Sequence, residues 1–175
     1  RIGKICASEF ESVIQPTRWE PTKGETRRKH MMRMLTEMIL DEPLATVNAA
    51  ALEHGHECEP KARAAYEMLN GCDIEQVGFM TNDEETIGAS LDGIVTGANR
   101  SVEIKTPFKP EIHVGYLSDP ETLKQEYFVQ TQGQLYVTGY EATDLISYFL
   151  GLDMVQVEVK PHLEFQAKLD AALKS

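Results

Sequence analysis

Apolar positions along this 175-residue chain change period several times, and each change marks an element. Met31, Met34, Leu35, Met38 and Ile39 recur at helical spacing and predict a helix over residues 25–40, with that stripe as its buried face. Its methionines read as fillers of core gaps. Arg27, Arg28, Lys29 and Arg33 make the opposite side basic, and Pro43 ends the element. Residues 47–69 predict a second, longer helix in which Gly55 and Pro60 are weak points, Pro60 marking a kink or a break. Upstream, residues 1–15 read as an extended lead into a short helix, with Ser8 as N-cap and Glu11 completing a capping box. Residues 16–24 carry Pro16, Pro21, Gly24 and the single tryptophan, Trp19, and read as a loop.

Beyond residue 72 the period shortens. Residues 73–82 predict a strand, and Asp83, Glu84 and Glu85 an acidic turn. Residues 89–95 and 101–106 predict the two arms of a hairpin about Thr96, Gly97, Ala98 and Asn99. The stretch from Pro107 to Pro120 reads as loop with Lys109 as its main cation, and residues 123–138 as one helix. Tyr127, Gln130 and Gln134 fall three to four apart on that helix, where glutamines ordinarily face solvent. Residues 141–150 and 155–159 predict two further strands, and residues 163–173 a closing helix. This order predicts one α/β domain over residues 1–175, with a mixed central sheet flanked by helices.

The hairpin carries the candidate chemistry. Symmetric closure about Gly97 and Ala98 sets Asp92 opposite Glu103. Directly opposed side chains have Cβ atoms roughly 4.5–5.5 Å apart, and like charges there repel. A hard cation with oxygen ligands would offset that repulsion. Side chains alternate along a strand, so Glu103 and Lys105 share a face while Ile104 turns to the core. A bulge would shift this register by one, and taken alone the hairpin reads equally as a solvated Glu/Lys pair. Glu59 stands four residues before Arg63, the spacing of a surface ion pair on a helix. His54 and His56, two apart, face different ways and do not read as a metal pair.

Composition adjusts this picture. Eight of the 17 Lys/Arg and four of the 28 Asp/Glu lie in residues 1–33, so that stretch is +4 and the remainder −15, against a total of −11. A local basic segment keeps a phosphate-bearing partner open despite the net acidity. Three cysteines (Cys6, Cys58, Cys72) without CxxC spacing argue against a disulfide framework or zinc site and favour an intracellular, cytoplasmic setting. No apolar run is long enough to span a bilayer, so no membrane role is expected. The chain opens at Arg1 rather than Met, and further residues before it are expected.

Four blocks in order then resemble a known family: residues 1–14 (RIGKICASEFESVI), 48–67 (NAAALEHGHECEPKARAAYE), 89–108 (ASLDGIVTGANRSVEIKTPF) and 126–139 (EYFVQTQGQLYVTG). They look like the PD-(D/E)xK nuclease superfamily, and within it the phage lambda exonuclease, or YqaJ-type viral recombinase, family. The resemblance implies a restriction-endonuclease-like core and a Mg²⁺-dependent 5′-to-3′ exonuclease acting on one strand of duplex DNA. Such an enzyme yields 5′-mononucleotides and 3′ overhangs for recombination. The resemblance also implies two Mg²⁺ ions, with Mn²⁺ as a substitute. Glu59, Asp92, Glu103 and the Ile104 carbonyl would be their ligands, and Lys105 would orient or activate the attacking water. Arg1, Ser8 and Ser90 match positions that hold a terminal 5′-phosphate. The fourth such position falls on Glu111 by plain counting, with Lys109 the nearest cation, a departure from the family pattern. Tyr127, Gln130 and Gln132 match a supporting helix motif, of which Gln130 is expected to touch the site. Leu91 stands where the superfamily name has proline.

The resemblance further implies a homotrimeric ring on double-stranded DNA ends, a single-strand annealing recombinase as partner, and a phage or prophage protein in a bacterial cytoplasm. Two rival readings are another PD-(D/E)xK endonuclease or Cas4- or RecB-like nuclease, and a non-catalytic module that binds DNA ends. A Cas4-type cluster would need four cysteines, and three are present.

Overall fold

Short strands that switch partners organise this molecule more than long ones do. A computed structural model describes residues 2–44 and 49–174 of the chain. The segment predicted as one strand over residues 73–82 is two, β2 (Ile74–Glu75) and β3 (Phe79–Thr81), lying in different sheets. The first arm of the hairpin likewise divides into β4 (Ile87–Ser90) and β5 (Gly93–Val95), again in different sheets. A three-stranded sheet therefore forms in the order β1-β4-β3, with β1 at Ile5–Cys6. A five-stranded sheet runs β2-β5-β6-β7-β8, with β6 at Arg100–Lys105, β7 at Ala142–Ser147 and β8 at Val155–Val159. Only β6 and β7 in it run parallel, so the sheet is mixed as predicted.

Every residue of β7 is buried, as befits a strand covered on both faces. Its side chains alternate between two cores. Ile146 packs with Ala62, Tyr66, Val102 and Ile104 under α2 (Ala49–Asn70). Leu145 packs with Tyr116, Leu123 and Leu135 on the other face. A third core joins the three-stranded sheet to α5 (Phe128–Thr138) and α6 (Leu163–Leu173) through Phe10, Ile14, Val129, Phe165 and Leu169. Tyr66 fixes α2 to β7 by donating a 2.5 Å hydrogen bond to the buried Asp144, which Arg100 also contacts at 2.6 Å.

Several helical expectations need correction. Residues 7–12 form a 3₁₀ turn whose N-cap position is Cys6, so Ser8 caps nothing and lies exposed. Helix α1 (Glu25–Leu40) has the predicted bounds, yet no residue of it is buried: Met31, Leu35, Met38 and Ile39 are all exposed. Periodicity revealed the apolar stripe but could not say what covers it. Pro60 neither kinks α2 into two elements nor ends it. The presumed loop after Pro107 contains α3 (Pro110–Ser118), begun by proline at its first position. The single helix expected over residues 123–138 is α4 (Pro120–Glu126) and α5, separated at Tyr127. Cys6, Cys58 and Cys72 are free thiols. No helix among the described residues is long and apolar enough to cross a membrane.

Candidate active site

Asp92 sits where the chain leaves one sheet for the other. Leu91 is buried and anchors the break, and β5 then pairs with β6 through Gly93–Val102 and Ile94–Ser101. That register continues to Asp92 opposite Glu103, as symmetric closure of the turn predicts. Asp92 does not extend the ladder with its backbone, however. Its Oδ2 accepts a 2.7 Å hydrogen bond from the Ile104 amide, and Arg63 Nη2 donates to its main-chain carbonyl at 3.1 Å. With its amide turned over, the Gln76 side-chain oxygen accepts from the same guanidinium at 2.9 Å. Arg63 thus braces Asp92, and among the described ion pairs it does not pair with Glu59 as helix spacing suggested.

Glu103 is 3 % exposed, and donors surround its carboxylate. Lys105 Nζ lies 2.7 Å from Oε1, which Gln130 Nε2 also contacts, while Gln134 Nε2 lies 2.6 Å from Oε2. Gln130 Oε1 accepts from Lys105 Nζ at 3.0 Å, which closes a small ring of contacts. Tyr127, at the junction of α4 and α5, presents its ring 4.2 Å below the Lys105 ammonium, a cation–π arrangement. A cavity of about 280 Å³ opens beside Lys105 between Tyr116, Glu126, Tyr127 and Ile112.

The electrostatics separate the two acids' neighbours. Burial, then the Glu103 carboxylate, push Asp92 up to about 8; the Ile104 amide opposes them and Glu59 adds a smaller upward push. Burial pulls Lys105 down, but the adjoining Glu103 carboxylate outweighs it and leaves Lys105 raised and charged. The surroundings thus resist ionisation of Asp92 while holding its carboxylate in place. A hard divalent cation beside these oxygens would favour the ionised form. Among the described residues, no three His, Cys, Asp or Glu side chains converge closely enough to hold a metal alone. A closed four-ligand zinc site calls for more carboxylate, His or Cys donors than Asp92 and Glu103 supply. Mg²⁺ fits the donor set better, since it is bound through one or two carboxylates plus water and substrate phosphate.

Glu59, on the exposed-to-buried boundary of α2, acts on Asp92 electrostatically without a hydrogen bond to it. Cys6 pairs in parallel with Gly88, and Ser8 and Ser90 each lie two residues beyond that pair, Ser90 as the last residue of β4. Ser8 lines a cavity of about 460 Å³ with Lys4, Cys6 and Arg33. Arg1 lies outside the described residues. Lys109 occupies the N-cap position of α3 and is exposed, as is Glu111 in that helix's first turn. Gln132 does not reach this group of side chains. It donates to the Lys160 carbonyl at 2.8 Å and accepts from the His162 amide at 2.7 Å, tying α5 to the turn before α6. Gln134 stands at the site instead. Its spacing from Tyr127 and Gln130 was the available signal, since positions seven and four residues apart share a helix face.

Comparison with known proteins follows the same lines. A family model described as a YqaJ-like viral recombinase domain matches residues 1–141. The alkaline exonuclease LHK-Exo from Laribacter hongkongensis superposes with a TM-score of 0.81 at 27 % identity, over 99 % of this chain and 88 % of that one. Its complex with dAMP gives 0.83 at 25 % identity, over 98 % and 85 %. A phage-related exonuclease from Haemophilus somnus 129PT shares the fold, with a TM-score of 0.75 at 14 % identity over 98 % and 90 % of the two chains. An uncharacterised protein of Acanthamoeba polyphaga mimivirus is 31 % identical over 106 residues; the match spans 54 % of this chain and only 19 % of that protein.

Proposed function

Because the chain belongs to the YqaJ-like viral recombinase family, we propose that it is a Mg²⁺-dependent 5′-to-3′ exonuclease acting on one strand of duplex DNA. The observation that carries this reading is the acid pair of half-buried Asp92 and buried Glu103, set opposite each other beside a charged Lys105. The likeness to LHK-Exo, described as an alkaline exonuclease, supports it at the level of reaction class. Glu59, Asp92, Glu103 and the Ile104 carbonyl would hold two Mg²⁺ ions, with Mn²⁺ as a substitute. Two such cations, when bound, favour deprotonation of the attacking water and neutralise charge on the leaving oxygen.

The chain's own residues do the positioning. Gln130 and Gln134 fix the Glu103 carboxylate, while the Ile104 amide fixes that of Asp92. Lys105, kept protonated, orients the water and donates to a phosphate oxygen as negative charge builds there. Water adds to phosphorus and the P–O3′ bond breaks. The freed nucleotide keeps its 5′-phosphate and the shortened strand ends in a new one, so each turn regenerates the end that the next turn needs. Arg1, Ser8, Ser90 and Lys109 would receive that phosphate. In the same reading the protein works as a homotrimeric ring in a bacterial cytoplasm and leaves 3′ overhangs for a single-strand annealing recombinase.

End-labelled DNA tests direction and substrate together. Linear duplex should release label from the 5′ end as mononucleotide before any 3′ label is lost, and closed circular duplex should stay intact. Cutting of the closed circle would overturn the exonuclease reading in favour of an endonuclease of the same fold.

A further inference from the structure

We propose that Gln134 is a positioning residue that clamps the strand leading into Asp92 to the strand that carries Glu103. This inference rests on the metal-dependent reading above and adds to it a determinant of how the site is held open for a cation. Asp92 itself is tied to β6 on its downstream side, through β5 and the Ile104 amide, but β4, which leads into it, lies in the three-stranded sheet, while β6, which carries Glu103, lies in the five-stranded one. Among the described residues no strand ladder pairs β4 with β6. Gln134 links the two. Its one amide nitrogen lies 2.6 Å from Glu103 Oε2 and 3.1 Å from the main-chain carbonyl of Ser90, two residues before Asp92. A primary amide has two N–H donors, one for each acceptor.

Gln134 is 1 % exposed, and its Oε1 is buried without a hydrogen-bond partner among the described residues. The reverse amide orientation would set that oxygen against both acceptors. An orphaned buried carbonyl is unfavourable, and buried groups of this kind are rare enough to need a reason. Here the reason is that both donors are committed to the two strands. Gln130 has a different role, because its partners Glu103 and Lys105 both lie on β6. Gln132, on the same helix, offers the contrast: it is equally buried and fully bonded, yet its partners are Lys160 and His162, away from the acids.

Titration of the purified protein with Mn²⁺, followed by calorimetry or by the electron paramagnetic resonance of the free ion, tests this without DNA. Thermal melting of each variant confirms that it is folded. Gln134→Met should bind Mn²⁺ about tenfold to a hundredfold more weakly, the range for removing a group that orients a metal ligand. Gln134→Asn, too short to span both strands, should weaken binding in the same direction and decides the matter if the methionine variant does not fold. Gln132→Met should melt at a lower temperature and bind Mn²⁺ as the wild type does. Wild-type affinity in both Gln134 variants, or equal weakening in Gln132→Met, would overturn the clamp alone. A wild-type protein that binds no Mn²⁺ would contradict the metal-dependent reading and the clamp with it.

Discussion

Asp92 is the residue on which the site depends, and its energetics run against the fold. An acid whose native pKa stands near 8, against an ordinary value of 3.8, holds an extra proton in the native state between those two pH values. Stability then falls as pH rises through that window, because the unfolded chain binds fewer protons than the folded one. Below about pH 4 both states are protonated and nothing is lost; above about pH 8 the full penalty is present. Asp92→Asn removes the ionisable group but can still accept from the Ile104 amide. The metal-free variant should therefore melt above the wild type at pH 8 and level with it near pH 4, by calorimetry at both values. A variant less stable than the wild type at pH 8 would contradict the assigned environment of Asp92. The opposition of Asp92 and Glu103 was legible in the sequence because a symmetric turn fixes which residues face each other. Gln134 was legible only as a spacing from Tyr127 and Gln130, since a glutamine on a helix looks the same whether its face meets water or a carboxylate. Gln132, read only as part of a supporting helix motif, bonds to Lys160 and His162 because neighbouring polar positions on a buried helix point to different partners.

At the scale of elements, the long periodic segments were legible and the junctions were not. The bounds of α1, β8 and α6 agree with those read from hydrophobic spacing. The strands that split, at residues 76–78 and at Leu91 and Asp92, read as continuous because each half keeps strand-like residues and only tertiary pairing separates them. Helix α5 shows what sets the acids' depth. A Cβ on Gly133 would meet Phe10 side-chain atoms at 2.5 and 2.9 Å, so glycine is what allows α5 to lie against the 3₁₀ turn. Alanine in a helix interior ordinarily gains about 1 kcal/mol over glycine. Overpacking a close contact costs about 1–3 kcal/mol. Phe10 is fully buried and has little room to yield, so the clash should win. Gly133→Ala should thus lower stability in urea denaturation, and it should reduce nuclease activity further because Gln130 and Gln134 flank it. A stabilised variant would show that Phe10 can shift and that the packing of α5 is looser than its contacts suggest.

Over the whole molecule, charge and function pull apart. A chain of net charge −11 is an unlikely DNA-binding protein by composition alone. Much of its positive charge is also committed internally: Arg33 pairs with Glu9 and Glu37, and Arg100 with Asp144 and Glu158. Part of the acidity, though, lies at the candidate site, where in the proposed reading bound cations would reverse the local sign. Composition cannot distinguish acids that repel a phosphate from acids that recruit metal to it, so the placement of Asp92, Glu103 and Lys105 is what the proposal rests on. The most direct measurement is the initial rate of nucleotide release from linear duplex DNA in Mg²⁺ and in EDTA, by the wild type and by Asp92→Ala and Lys105→Ala. The wild type should be active in Mg²⁺ and silent in EDTA, with Lys105→Ala slower by about 10²–10⁴-fold and Asp92→Ala inactive. Activity undiminished in EDTA, or wild-type rates in either variant, would contradict the assignment of this site.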